Sequence, residues 1–285
     1  MTESIPLAPS LWAAVSPDGQ TLVTEDGLLL DLTSSTVQMP DRLSAVSGLS
    51  DGAVPRQAWA DHGRAILVTG HTERGHVVRM VDSFAGVTLA EWTGVRAAAG
   101  DPTHAAAALE VLADDPVANW FDGFPLTERV EIGEATGMRT TVLTAVEFGA
   151  AVGITEFQRL VIDGLQFSPD GSLLALSGRT ALAAPEEPSF GGFVVLARDG
   201  HVAYAQPAEV GAWWWLGWVD RRTLVAAFRE TTRHPPRTGI ISVSFSADGD
   251  PIMSRGVPLP DDAHAAASAW GACVVAPDER RLVCG

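Results

Sequence analysis

Residues 114–122, Asp-Asp-Pro-Val-Ala-Asn-Trp-Phe-Asp, combine three carboxylates with two aromatic side chains. The carboxylates of Asp114, Asp115 and Asp122 are hard oxygen ligands that could coordinate a cation. Trp120 could instead anchor a partner protein through its large aromatic surface. Because the spacing does not match an EF-hand, we favour a solvated acidic loop folded over its own aromatic side chains.

Residues 229–237, Arg-Glu-Thr-Thr-Arg-His-Pro-Pro-Arg, form a cluster of positive charge in an otherwise acidic chain. Guanidinium groups bind carboxylates and phosphates through paired hydrogen bonds, so this segment could hold an anionic group. The candidate residues are Arg229, Arg233 and His234. The alternative is that the segment pairs with Glu186 and Glu187 or stays solvated, as most surface charges do.

Other combinations of reactive residues are weaker. His71 and His76 flank Glu73, but no third metal ligand is identifiable, so we predict no metal site. Gly48-Leu49-Ser50-Asp51-Gly52 matches the G-x-S-x-G pattern without the strand and helix that a nucleophile elbow requires. The chain contains no lysine, which excludes a Schiff-base lysine and a phosphate-loop lysine. We therefore predict no cofactor and assign no catalytic residue.

Composition narrows the class of partner. The formal net charge of −16 argues against nucleic acid, whose binding depends on neutralising phosphates with Lys and Arg. No apolar run reaches the 18 or so residues needed to cross a bilayer, and residues 1–10 do not resemble a secretory signal. We therefore expect a cytoplasmic protein without a membrane partner. The expected partner is another protein or a small molecule, and the oligomeric state is left open.

An internal repeat of roughly 40–65 residues must position these groups. In its clearest copy, near 161–208, a short strand leads into Ser168-Pro169-Asp170-Gly171, a sequence suited to a tight turn. Three further strands follow, with a long polar loop between the second and third and Arg198-Asp199-Gly200 between the third and fourth. We predict the other copies near 11–43, 53–93, 94–160, 211–258 and 263–285. The long connections, including those that hold all the candidate residues above, then lie at one end of the repeats.

The copies resemble TolB-type and WD-repeat-like β-propellers. The resemblance rests on the two Ser-Pro-Asp-Gly turns at 16–19 and 168–171, on weaker copies at 61–63 and 276–279, and on Asp-Gly turns before the outermost strands. It implies an all-β fold in which residues 1–285 form a single β-propeller of about six blades, each of four antiparallel strands. The WD dipeptide is absent, and the last copy lacks its outer two strands, so that blade is expected to be incomplete. Residues 4–9 could supply one closing strand.

Three segments leave alternatives open. The Ala-rich residues 97–108 suit crowded inner strands, although 105–109 could form a helical turn. Residues 146–160 could hide another hairpin. Trp213, Trp214, Trp215 and Trp218 are interpreted as aromatic wedges between blades, with Trp214 on the opposite face from Trp213 and Trp215. The alternative is a Trp that lines the channel as a platform for a ligand.

The two cysteines, Cys273 and Cys284, flank the turn-like residues 276–279. If that turn closes a hairpin, they lie nearly opposite each other. We favour two reduced, buried thiols of a cytosolic protein, with a cross-strand disulfide as the alternative. The spacing excludes a CxxC metal knuckle.

Two functions fit these observations. The first is a non-catalytic binding or scaffold module that uses the long-loop face for a protein or a small ligand. The alternative is a propeller enzyme, such as a hydrolase, lyase or cyclase, with acid–base residues at the mouth of the central channel. Because a propeller fold hosts both, the repeat does not decide between them.

Overall fold

The fold is nearly all-β, as predicted. A computed structural model of the chain describes residues 13–33, 49–113, 120–121, 124–154, 160–180, 189–230, 237–258, 273–275 and 282–284. Within these residues the chain forms twenty-four β-strands and one α-helix. No helix in this part of the chain is long and apolar enough to cross a membrane.

The first two units of the repeat occupy residues 13–93. Their strands are β1 (Ala13–Val15), β2 (Thr21–Thr24), β3 (Leu29–Asp31), β4 (Ser50–Ala53), β5 (Trp59–Ala60), β6 (Ala65–Thr72), β7 (Gly75–Asp82) and β8 (Thr88–Thr93). Unit 1 is the antiparallel sheet β1-β2-β3, and its expected fourth strand, at 36–40, lies outside the described residues. Unit 2 is built on β6, which pairs with β7 on one side and with both β4 and β5 on the other. Ser50 therefore begins a short strand and does not lie on a nucleophile elbow.

Units 3 and 4 occupy most of residues 95–210. Their strands are β9 (Val95–Gly100), β10 (Ala106–Leu112), β11 (Trp120–Phe121), β12 (Phe124–Pro125), β13 (Thr127–Glu134), β14 (Arg139–Thr144), β15 (Leu160–Phe167), β16 (Leu173–Thr180), β17 (Phe190–Ala197) and β18 (Val202–Val210). Unit 3 has the order β9-β10-β13-β14 and unit 4 the order β15-β16-β17-β18. A single pairing of Thr127 with Leu160 joins the two units. Most of the Ala-rich segment is thus strand, and residues 106–109 lie in β10, so the helical turn considered for 105–109 does not form.

The remaining strands form unit 5 and a final hairpin. They are β19 (Ala212–Trp218), β20 (Thr223–Glu230), β21 (Arg237–Phe245), β22 (Pro251–Pro258), β23 (Cys273–Val275) and β24 (Leu282–Cys284). Unit 5 is the antiparallel sheet β19-β20-β21-β22, and β23 pairs with β24. The predicted closing strand at 4–9 lies outside the described residues.

Each unit has two distinct ends because its strands alternate in direction. The first-to-second and third-to-fourth connections lie at what we call the turn end. The second-to-third connections lie at the opposite end, which we call the loop end. In units 3, 4 and 5 these loop-end connections include residues 113–126, 181–189 and 231–236, which hold most of the predicted binding residues.

The Ser-Pro-Asp-Gly turns form as predicted. Ser168 Oγ donates to Asp170 Oδ1 at 2.8 Å and accepts from the Leu173 amide at 3.0 Å. The turn at 16–19 repeats this arrangement, with Ser16 Oγ 2.5 Å from Asp18 Oδ1. The Ser16 hydrogen bond lowers the pKa of the Asp18 carboxyl below its ordinary value. Both turns therefore hold a charged aspartate as a structural acceptor.

The first strands of neighbouring units pack together, and aromatic residues at their turn ends fix the contact. β15 contacts β9 on one side and β19 on the other. Trp59 Nε1 donates to the carbonyl of Ala14 at 3.0 Å, and Trp218 Nε1 donates to the carbonyl of Gln166 at 3.4 Å. In both pairs a Trp of one unit's first strand bonds to the first strand of the preceding unit.

Trp214 is a wedge between units, as predicted for the Trp cluster. Its side chain is buried, and its ring centroid lies 5.1 Å from that of Phe193 in unit 4 and 5.1 Å from that of Phe228 in unit 5. Its Nε1 donates to the carbonyl of Gly191 at 3.1 Å. The ring therefore contributes apolar area and a satisfied hydrogen bond to the contact between units.

The hairpin considered for residues 146–160 is wrong in its described part. Residues Ala145–Ala151 form the helix α1. Thr144 caps it: Thr144 Oγ1 accepts from the Glu147 amide at 3.2 Å, and the Glu147 carboxylate accepts from the Thr144 amide at 2.8 Å. This reciprocal capping box satisfies donors that a helix N-terminus leaves unpaired. Phe148 anchors α1 in the core of units 3 and 4.

Candidate functional site

The predicted binding residues lie almost entirely beyond what the structure describes. Asp114, Asp115, Asp122, Glu186, Glu187, Arg233 and His234 are outside the described residues, and only the backbones of Trp120 and Arg229 are described. Trp120 pairs with Pro125 in the short hairpin β11-β12, and Arg229 pairs with Thr238 across β20 and β21. The predicted grouping of these side chains around one site therefore stays a prediction.

At the loop end of units 3 and 4 lies an ionic network that the sequence analysis missed. Its members are Arg96, Glu110, Thr127, Asp163 and Arg179. Each lies near the loop end of its strand, and together they connect units 3 and 4. The available signal was a lone charged residue inside an apolar strand, as in Ala-Ala-Ala-Leu-Glu-Val-Leu at 106–112. A charge in such a strand must be paired to be buried, but the sequence does not identify its partner.

Glu110 is the centre of the network. It is fully buried, and its carboxylate accepts three hydrogen bonds within the described structure. Arg96 Nε donates to Oε2 at 2.9 Å and Arg96 Nη2 to Oε1 at 2.7 Å, while Thr127 Oγ1 donates to Oε1 at 2.5 Å. This forked guanidinium–carboxylate geometry is the strongest form of side-chain ion pair. Glu110 is therefore committed to structure and is not positioned to transfer protons.

Arg96 carries the network from unit 3 into unit 4. Its Nη2 also donates to the carbonyl of Ile162 at 3.0 Å. Ile162 pairs with Gly178, whereas Gly164 pairs with Ser177, so Asp163 is an extra residue in β15 and forms a β-bulge. Bulges redirect a strand and its side chains, and they recur next to functional sites. Arg96 thus fixes the backbone immediately before the bulge.

Asp163 is the member of the network best suited to acid–base chemistry. Arg179 Nε donates to its Oδ1 at 3.1 Å, and the side chains of Asp163 and Arg179 are 16% and 6% exposed. The backbone at the bulge is exposed even though the carboxylate is largely covered. Burial raises the pKa of the Asp163 carboxyl above its ordinary value, and nearby Arg179 and Arg96 only partly oppose the rise.

A histidine pair flanks the network in unit 2. His71 and His76 are cross-strand partners at the loop end of β6 and β7, with their Nε2 atoms 3.2 Å apart and ring centroids 3.9 Å apart. Burial lowers the pKa of His76, and His71 and Arg96 lower it further. His71 Nδ1 is buried without a hydrogen-bond partner in the described structure. Burial therefore favours the neutral form of His76.

The network is balanced in charge, with two arginines and two carboxylates. No group of three or more His, Cys, Asp or Glu side chains that could hold a metal ion occurs in the described ranges. Two arginines and the carboxylate at the bulge are held in place at the loop end of units 3 and 4. A ligand that enters at this end would meet polar groups whose positions are fixed in advance.

No family model matches the chain. No curated protein matches it. Among solved structures, the chain is similar to prolyl oligopeptidase B from Galerina marginata bound to a 25mer macrocyclization substrate, with a TM-score of 0.51, 11% identity, and coverage of 87% of this chain and 37% of that chain. It is similar to the Dos1 propeller, with a TM-score of 0.50, 9% identity, and coverage of 87% of this chain and 61% of that chain. It is also similar to a putative TolB from Agrobacterium tumefaciens, with a TM-score of 0.47, 14% identity, and coverage of 88% and 82%.

The similarity to the Dos1 propeller confirms the predicted resemblance to β-propellers at the level of the fold. The chain spans less than two thirds of the length of the first two structures, at 37% and 61%. At identities of 9–14%, the similarities show the fold alone. They favour neither a scaffold nor an enzyme.

Proposed function

We propose that the chain is a non-catalytic β-propeller binding module that takes up a protein or a small ligand at its loop end. We further propose that residues 1–285 form one propeller of about six blades, whose units lie side by side and present their loop-end connections on one face. The observation that carries the binding proposal is the doubly hydrogen-bonded ion pair of Arg96 and Glu110 at the loop end.

The geometry of that pair supports a binding function better than a catalytic one. Glu110 accepts from three donors, so it has little capacity left for a reacting group. The pair instead stiffens the strand ends from which the connection at 113–126 begins. Long connections on a rigid base are the usual location of binding residues. The net charge of −16 makes a polyanionic partner unfavourable.

The test is quantitative capture from a lysate with two matched quadruple variants. The loop-end variant is Asp114→Ala, Asp115→Ala, Arg229→Ala and Arg233→Ala. The control changes the same residue types at the turn end, namely Asp248→Ala, Asp250→Ala, Arg221→Ala and Arg222→Ala. Both variants remove two carboxylates and two guanidinium groups, so the net charge is unchanged in each.

Loss of a stoichiometric partner from the loop-end variant alone, at unchanged melting temperature, supports the proposal. Loss from the turn-end variant alone places binding at the opposite end and contradicts it. Because a small ligand escapes capture, the same two variants are also screened for bound metabolites by native mass spectrometry. Folded protein that yields neither a partner nor a ligand also contradicts the proposal.

Asp163 supports a second candidate, an enzyme that uses acid–base chemistry at the loop end. Its raised pKa favours the protonated form more than a solvated aspartate does, and a general acid needs that property. Its Oδ2 has no hydrogen-bond partner in the described part of the chain. Incubation with a metabolite extract separates the candidates: an enzyme consumes a component, and Asp163→Asn abolishes that consumption. A binding module leaves the extract unchanged.

A further inference from the structure

The chain has two cysteines among its 285 residues, and they are cross-strand partners in the final hairpin. Cys273, the first residue of β23, pairs in antiparallel register with Cys284, the last residue of β24. The next pairs along the hairpin are Val274 with Val283 and Val275 with Leu282. A shift of one residue in either strand would separate the two cysteines, so their pairing is a specific feature of this register.

The antiparallel register of this hairpin is compatible with the distance requirement of a disulfide. Residues directly opposite each other in an antiparallel pair have Cα atoms about 4.5–5.5 Å apart. A disulfide joins Cα atoms about 4.4–6.8 Å apart. The Cα separation expected for this register therefore falls within the range that a disulfide spans.

We propose that Cys273 and Cys284 form an intramolecular cross-strand disulfide that closes the final hairpin, in place of the two reduced thiols favoured from the sequence, because the register sets them directly opposite each other. The oxidant is a low-molecular-weight disulfide such as glutathione disulfide. The thiolate of one cysteine attacks a glutathione sulfur, and the first glutathione leaves as a thiolate. The thiolate of the second cysteine then attacks the mixed disulfide, forms the protein S–S bond and releases the second glutathione. The two cysteines lose two protons and two electrons, and glutathione disulfide is reduced to two glutathione molecules.

The test is a redox titration of the full chain at low protein concentration in buffers of increasing glutathione disulfide content. Acid quenching, alkylation and intact mass measurement then count the free thiols. The oxidised chain should lose two hydrogen atoms and accept no alkyl group. Trypsin cleaves after Arg280 and Arg281, between the two cysteines, so the oxidised chain should yield two peptides joined through Cys273 and Cys284.

A variant with the thiol moved out of register provides the matched control. Val283→Cys combined with Cys284→Ser keeps two cysteines but shifts one of them by a single residue. Its half-oxidation should require a buffer at least roughly tenfold more oxidising, because the backbone must move to close the bond. Equal titration midpoints for the two proteins would overturn the proposal. Stable glutathione adducts on both cysteines, or disulfide-linked dimers in place of the internal bond, would also overturn it.

Discussion

The side-chain amide of Gln57 bonds to both backbone polar atoms of Phe167, although the two residues belong to different, non-adjacent units. Gln57 Nε2 donates to the Phe167 carbonyl at 3.2 Å, and the Phe167 amide donates to Gln57 Oε1 at 2.8 Å. The Gln57 carbonyl also accepts from the Gly100 amide at 2.7 Å, at the end of β9 in unit 3. Gln57 thus connects three consecutive units at their first strands.

Gln57→Leu should lower the free energy of unfolding by about 1–3 kcal/mol, because it leaves the amide and carbonyl of Phe167 unpaired. Chemical denaturation followed by tryptophan fluorescence measures this loss. Gln20→Leu is the control, since Gln20 is exposed at the turn end and its side chain makes no hydrogen bond to the described residues. An equal loss in both variants would show that Gln57 does not connect the units.

Glu110→Leu should lower the free energy of unfolding by about 3–5 kcal/mol, because it leaves the Arg96 guanidinium without its buried counter-charge. The double variant Arg96→Met/Glu110→Leu should be more stable than Glu110→Leu alone, since a buried pair can be replaced by apolar groups at little net cost. Urea denaturation of both single variants and the double variant completes the cycle. Strictly additive losses would mean that the two side chains do not interact.

Gly100→Ala should lower the free energy of unfolding by about 1–3 kcal/mol. A Cβ at Gly100 would overlap the backbone carbonyl of Trp59 in the neighbouring unit. Gly217→Ala is the matched control, because a Cβ there meets no atom within 4 Å. Thermal unfolding should show a large fall in melting temperature for the first variant only. A similar fall for Gly217→Ala would indicate a general intolerance of alanine and not a specific contact between units.

Acidification should destabilise the protein through His76. Burial is the main cause that lowers the pKa of His76 in the folded state. Between that lowered pKa and the ordinary value of 6.5, the unfolded chain therefore binds the His76 proton more readily than the folded chain does. The contribution of neutral His76 to the free energy of unfolding should therefore be fully present above pH 6.5. It should fall as the pH decreases from 6.5 toward the folded-state pKa. The neighbouring charged or titratable groups are His71, Arg96, Glu73 and Arg74.

His76→Gln should remove part of this pH dependence, and His201→Gln, an exposed position at the turn end, should not. Unfolding free energies measured by urea between pH 7.5 and 5.5 give the slope for each variant. An unchanged slope in His76→Gln would assign the acid sensitivity to other groups.

Local chemistry made the fold predictable from the sequence. Pro presets φ, Asp accepts local amides and Gly accepts positive φ, so the turns at 16–19 and 168–171 follow from their own residues. The capping box of Thr144 and Glu147 was equally local and could have predicted α1. Interpreting 146–160 as a hairpin overlooked this T-x-x-E pattern.

The ionic network could not be predicted in the same way. Arg96 bonds to Ile162 at a separation of 66 residues, and this contact exists only because units 3 and 4 lie side by side. The bulge at Asp163 likewise depends on the register of β15 against β16. Neither the distant partner of Arg96 nor the extra residue Asp163 changes the periodic pattern of apolar residues from which strands are predicted.

The most direct test of binding at the loop end is a hydrogen–deuterium exchange footprint, recorded with and without the captured partner or ligand. Slower exchange should concentrate in residues 113–126, 181–189 and 231–236, with the turns at 16–19 and 168–171 unchanged. Protection confined to those turns, or to the outer strands β8, β14 and β18, would contradict a binding module that works through its loop end.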